Sequence, residues 1–172
     1  IVGKPNAGKS TLLNALLNEN RAIVSDIEGT TRDTIEEVMT IEGIQFRFVD
    51  TAGLRETTDE IERIGVEKAM AQIEKSSIYL YLFDLNKLSV DEVKLELAKL
   101  NQEIPHLLIA NKTDLVSEET ISAFKNSDLD CFFISAKENK SIELIKGALF
   151  NAVSKNLAQN SDVVITNSRH YE

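Results

Sequence analysis

Only one cysteine, Cys131, occurs among the 172 residues, so no intramolecular disulfide can staple the chain. Its place in the apolar run Cys131-Phe132-Phe133-Ile134 reads as a buried strand thiol rather than a redox or metal group. No apolar run approaches the length of a bilayer span, and no charged-then-apolar leader opens the sequence, so the expectation is a soluble, cytoplasmic protein with no membrane partner. Basic residues are scarce as well. Against 28 Asp and Glu stand 19 Lys and Arg, a formal net charge of −9, which argues against nucleic acid wrapping directly around this module. Internal repeats and low-complexity blocks are missing too. What remains, 42% hydrophobic and 27% charged residues at this length, suits one domain with a substantial core.

Strand-like and helix-like segments alternate along the chain. Glu37 to Ile41 and Ile44 to Asp50 flank a Glu42-Gly43 turn, and a polar-rich helix follows through Ile61 to Lys75. The apolar strand Ile78 to Phe83 leads to helix Val90 to Leu100, strand His106 to Ala110, helix Glu118 to Lys125, strand Cys131 to Ile134 and helix Ile142 to Ser154. This βα alternation predicts an α/β fold, a mostly parallel, doubly wound sheet with one antiparallel edge strand. The domain is expected over residues 1–157, with 158–172 as a linker. Ile1-Val2 leave little of the strand that normally delivers the first loop, so the expectation is a fragment with a truncated first strand.

That first loop, Gly3-Lys4-Pro5-Asn6-Ala7-Gly8-Lys9-Ser10, fits G-x-x-x-x-G-K-[ST], which makes the expected α/β fold that of a P-loop NTPase. Its glycines let successive N–H groups turn toward phosphates, and the helix opening at Ser10-Thr11 adds its positive end. Lys9 is expected to neutralise β- and γ-phosphate oxygens, and Ser10 to give a hydroxyl to Mg²⁺. Asn111-Lys112-Thr113-Asp114, after a buried strand, has the N-K-x-D form that reads guanine. There the Asp114 carboxylate accepts from the N1–H and the exocyclic amine, and the Lys112 stem lies over the base. Ser135-Ala136-Lys137, after the last strand, can present backbone N–H to guanine O6. GTP is therefore the expected ligand.

Two further segments suit sensors of the third phosphate. Asp50-Thr51-Ala52-Gly53 has the D-x-x-G form, with Asp50 supporting the Mg²⁺ shell and the Gly53 N–H facing the γ-phosphate. Asp26-Ile27-Glu28-Gly29-Thr30-Thr31-Arg32-Asp33 is polar and aperiodic, as expected of a loop ordered by Mg²⁺ and γ-phosphate, with Thr31 preferred over Thr30 as the Mg²⁺ ligand. Leu54 follows Gly53 where Ras-like enzymes hold a water-orienting glutamine, so another group must position the water. Arg32 and Arg55 are candidate arginine fingers, though a solvated or ion-paired role suits each better.

All these motifs belong to the translation-factor-like GTPases. Read with Leu54-Arg55-Glu56-Thr57 and Asp59-Glu60-Ile61-Glu62-Arg63-Ile64-Gly65, the whole chain resembles the G domain of the MnmE (TrmE) family of tRNA-modification GTPases. Asn167-Ser168-Arg169-His170 resembles the point where that family's chain returns to its helical domain. The resemblance implies that Glu62 orients the attacking water, and that K⁺ sits beside the phosphates on Asn6 and oxygens around Ser25, Ile27 and Thr30. It also implies pairing of G domains between subunits. With the flavin-dependent partner MnmG (GidA), the intact protein would modify the wobble uridine of certain tRNAs. Two alternatives stay open: a ribosome-assembly GTPase like Der or Era, and a GTP-gated interaction module without appreciable turnover.

Overall fold

The computed structural model describes residues 1–18, 36–49, 67 and 69–160. Along them run α1 (Lys9–Asn18), β1 (Glu36–Ile41), β2 (Ile44–Val49), β3 (Tyr79–Asp84), α2 (Val90–Leu97), β4 (His106–Asn111), α3 (Glu118–Lys125), β5 (Cys131–Phe133) and α4 (Ile142–Asn160). Residues 67 and 69–74 are also helical and fall in the helix expected over Ile61 to Lys75, with Lys75 in the turn that follows.

All six residues of β3 are buried, which requires cover on both faces. Their alternation sorts them: Leu80 and Leu82 join one core cluster, and Tyr79, Tyr81 and Phe83 join another. The first cluster contains Leu12 and Leu16 of α1, Ile109 of β4, Ile142, Ile145 and Leu149 of α4, and Met39, Ile41, Phe46 and Phe48 of the hairpin. On the opposite face lie Val93 and Leu97 of α2, Leu108 and Ala110 of β4, and Phe124 of α3. Leu12 and Leu16, one helical turn apart and fully buried, each contribute about 1.5–3 kcal/mol by burial.

Strands β3, β4 and β5 pair in parallel in that order, and β1 pairs antiparallel with β2. Glu42 and Gly43 turn the hairpin with φ of 48° and 82°, the pair of positive values that matches the strands' twist. Ile1 and Val2 join the two parts. The Ile1 nitrogen donates to the Val49 carbonyl (3.3 Å), the Val2 N–H donates to Leu80 (2.9 Å), and the Val2 carbonyl accepts from Leu82 (2.8 Å).

Both sides of the expected architecture are present, the parallel sheet covered on two faces and the antiparallel hairpin. Boundaries differ where polar residues extend an element: β3 and β4 take in Asp84 and Asn111, because the parallel ladder pairs those two with each other. Helix α2 stops at Leu97, short of Leu100, and a turn closed by Leu100 N–H on the Leu97 carbonyl follows. Helix α4 continues to Asn160, into the stretch expected as linker; residues 161–172 lie outside the described residues. Cys131 is half-buried on β5, and burial, aided by the Asp130 charge, pushes its thiol up to about 11, which disfavours the thiolate. No described helix is long and apolar enough to cross a membrane.

Candidate functional site

Parallel strands place their following loops at one sheet edge, and here that edge gathers residues 3–9, 84–88, 111–115 and 134–141. The first loop needs glycine twice. Gly3, at φ +154°, passes so close to β3 that a Cβ would overlap the Leu82 carbonyl oxygen, and Gly8, at φ +103°, would drive a Cβ into the Asn111 amide nitrogen. Between them Asn6 takes φ 61°, a left-handed position that asparagine tolerates. The Lys9 ammonium reaches back over the loop to the carbonyls of Gly3 (2.7 Å) and Lys4 (2.9 Å). Ser10 and Thr11 lie exposed on the first turn of α1, and Ala7 is buried.

Asn111 is the hub of the edge. It is 2% exposed, its amide donates to the Ala7 carbonyl (2.8 Å), and its oxygen accepts from the Ala136 N–H (3.0 Å). One side chain thus ties the first loop to the loop after β5. Thr113 adds a backbone bond to the Ile134 carbonyl (3.1 Å). Lys112, left-handed at φ 69°, sends its ammonium to the Asn6 carbonyl (2.8 Å) and to Asp84 Oδ2 (2.7 Å).

Asp114 is exposed rather than buried, so only a ligand lying on it would remove it from water. The buried Ser135 hydroxyl donates to Asp114 Oδ1 (2.6 Å), and that bond, chiefly, holds the carboxyl below the usual aspartate range. The loop carrying Ser135 closes on itself through paired bonds between Ser135 and Lys140. The Ser135 and Ala136 amides are engaged within the protein, and Lys137 is exposed at the next position.

Asp84 escapes sequence reasoning. It ends an otherwise apolar strand as a carboxylate 5% exposed, and that contrast was its only signal. Ser25, Asp26, Ile27, Glu28, Gly29, Thr30, Thr31, Asp50, Thr51, Ala52, Gly53 and Glu62 lie outside the described residues, as do Arg32, Leu54 and Arg55.

A strand-to-helix loop with left-handed glycines, a lysine laid across it and an N-K-x-D turn bolted to it are the elements of a phosphate-and-base site. A family model described as 50S ribosome-binding GTPase matches residues 1–112. The chain belongs to this GTPase family. It is closely related to the tRNA modification GTPase MnmE: it is 46% identical over 177 residues to that of Flavobacterium psychrophilum and 47% over 173 residues to that of Cytophaga hutchinsonii. Each alignment covers 100% of this chain but only 38% and 37% of those proteins, so the GTPase chain spans little more than a third of their length. Among solved structures it resembles Era in complex with MgGDPNP and a 16S ribosomal RNA segment (TM-score 0.65, 26% identity, 87% of this chain and 54% of that one). It also resembles the FeoB G-domain of Methanococcus jannaschii (TM-score 0.59, 26% identity, 88% and 93%).

Among the described residues no group of three or more His, Cys, Asp or Glu forms a metal cage. A hard cation at this GTPase's first loop would be held by the Ser10 hydroxyl and by the nucleotide's own phosphate oxygens, a donor set that suits Mg²⁺. The Asn6 main-chain carbonyl already accepts from Lys112, so a second cation there would draw on the Asn6 side-chain oxygen.

Proposed function

We propose that this chain is the G domain of a cytoplasmic tRNA-modifying GTPase, hydrolysing GTP to GDP and phosphate and passing the resulting switch movement to the rest of its protein. The observation that carries the reading is the double tie between base turn and phosphate loop, Asn111 to Ala7 and Lys112 to Asn6. It sets the guanine-reading residues at a fixed reach from the phosphate cradle. Asp114, kept ionised by Ser135, accepts from the two guanine donors, which adenine lacks. On nucleotide arrival the Lys9 ammonium exchanges the Gly3 and Lys4 carbonyls for phosphate oxygens, which bear full charge and bind it more strongly. Bound Mg²⁺ would neutralise charge between β- and γ-phosphates. Ser10 would hold it, with Thr31 and Asp50 completing its surroundings.

With Leu54 lacking a polar side-chain atom, Glu62 positions the attacking water, and Asn6, Ser25, Ile27 and Thr30 would hold K⁺, which would supply the positive charge that an arginine finger gives in other GTPases. Closing of the segment around Ser25 to Thr31 builds the surface on which two G domains pair. MnmG (GidA) and tRNA are the partners of the intact protein, and wobble uridine is its target. The test is multiple-turnover phosphate release by this chain in K⁺ and Na⁺ buffers of equal ionic strength. Faster release in K⁺, with a dimer in GDP and aluminium fluoride by light scattering, is expected. Equal rates and equal dimerisation in the two salts would remove the cation role, and binding without turnover would leave a GTP-gated interaction module. The likeness to Era supports a second reading, ribosome assembly, which cosedimentation of the intact protein with ribosomal subunits would favour.

A further inference from the structure

A carboxylate 5% exposed at the end of an apolar strand is costly unless it is paired, and Asp84 is paired twice. Oδ1 accepts from the Asn86 N–H (2.9 Å), and Oδ2 meets the Lys112 ammonium at 2.7 Å. The first bond shapes the turn after β3, where Lys87 and Leu88 N–H groups also close on the Asp84 carbonyl. The second bond reaches the nucleotide site. Parallel register sets Asp84 beside Asn111, and the Leu85 N–H bonds the Asn111 carbonyl, so the base turn begins against the Asp84 turn.

Lys112 thus joins two left-handed places. It is itself left-handed, which is unfavourable for a lysine, and it bonds the carbonyl of Asn6, left-handed at a residue type that tolerates it. A lysine ammonium in solution would exchange freely between water and carbonyls. Here the buried counter-charge fixes it, and the alkyl stem between Cα and Nζ is thereby anchored at both ends.

We propose that Asp84 is a positioning residue for nucleotide recognition, holding Lys112 as the strut that sets the base turn against the phosphate loop. The inference rests on the reading of this edge as a guanine-nucleotide site. The effect of Asp84 on recognition passes through the bond to Lys112.

A double-mutant cycle on this chain tests it, with a fluorescent GDP analogue as the probe, an ADP analogue as control, and thermal melts of each variant. Asp84→Asn keeps the shape and an acceptor for the Asn86 N–H but removes the charge; Lys112→Met keeps the stem but removes the ammonium. Each single change is expected to weaken GDP-analogue binding by about 10- to 100-fold, the range of one charge-assisted bond. The double variant is expected to bind no more weakly than Lys112→Met. Asp84→Glu, which restores the charge, is expected to recover several-fold over Asp84→Asn, and Asp84→Ser, uncharged but with an acceptor oxygen, replaces Asp84→Asn in the cycle if that variant does not fold. Losses that multiply in the double variant, or wild-type affinity in Asp84→Asn, would overturn the positioning role. Equal binding of the ADP and GDP analogues by the unmutated chain would instead overturn the guanine reading, a failure distinct from any loss of coupling between Asp84 and Lys112.

Discussion

Replacing Asn111 by aspartate changes one NH₂ to oxygen with no change in shape, which makes it a sharp test of how the two nucleotide loops are held. The introduced carboxylate can still accept from the Ala136 N–H but cannot donate to the Ala7 carbonyl, which it would face at the 2.8 Å now spanned by a hydrogen bond. Leaving that acceptor unpaired costs about 1–3 kcal/mol, and an unpaired charge in a site 2% exposed raises the total toward about 3–5 kcal/mol at neutral pH. For a domain of this size each kcal/mol lowers the melting temperature by about 2–4 °C, so a drop of roughly 10 °C is expected without nucleotide. The sign with pH follows from linkage. Desolvation and the facing carbonyl raise the folded-state pKa of the new group above its unfolded value of ~3.9, so the penalty is full above the folded pKa and vanishes below the unfolded one. The protonated form also regains an O–H donor for Ala7. Melts of both proteins from pH 8 down to pH 5 should therefore converge, measured as the difference between the two at each pH. A variant that melts with wild type at pH 7, or a gap that widens on acidification, would refute Asn111 as the hub.

Asp114→Asn should weaken GTP binding and favour xanthosine triphosphate, whose base carries an acceptor where guanine carries its amine; undiminished GTP affinity in a direct titration would remove its base-reading role. Ser135→Ala should raise the Asp114 pKa by deleting its main stabilising bond. Because a depressed carboxyl favours the folded, ligand-ready form above its unfolded pKa and loses that effect as pH falls through the folded one, guanine-nucleotide affinity should begin to fail at a higher pH in the variant than in wild type. Glu62→Ala should lower turnover by at least about 10²-fold with GTP affinity nearly unchanged, read from single-turnover rates beside equilibrium binding. Leu12→Ala should cost about 2–5 kcal/mol in urea melts, since Leu12 is fully buried in the cluster that joins α1 to the sheet.

Much of this was legible in the linear chain because local physics set it. Apolar runs with β-branched and aromatic residues marked β3 and β4, and Glu118 to Lys125 has the same bounds in the structure as its sequence pattern implies, with Ile121 and Phe124 on its buried side. The phosphate loop and the N-K-x-D turn were legible for a related reason: each is a short segment whose residue types are dictated by its own backbone, as the positive φ at Gly8 and Lys112 shows. Boundaries were harder. Asp84 and Asn111 read as loop residues because both are polar, yet ladder pairing draws them into strands.

What the sequence determined by itself was therefore the set of described elements and the GTPase class to which they belong. Tertiary structure alone decided which partners the motif residues have within the protein. Asn111, part of a base-reading motif, has its amide bonded on both sides to the protein's own loops, and Asp84, part of no motif, supplies the counter-charge on which Lys112 rests. The physical reason is that a hydrogen bond between residues 104 or 28 positions apart depends on which strands lie side by side, and a parallel sheet sets that through crossovers that leave no trace in local spacing.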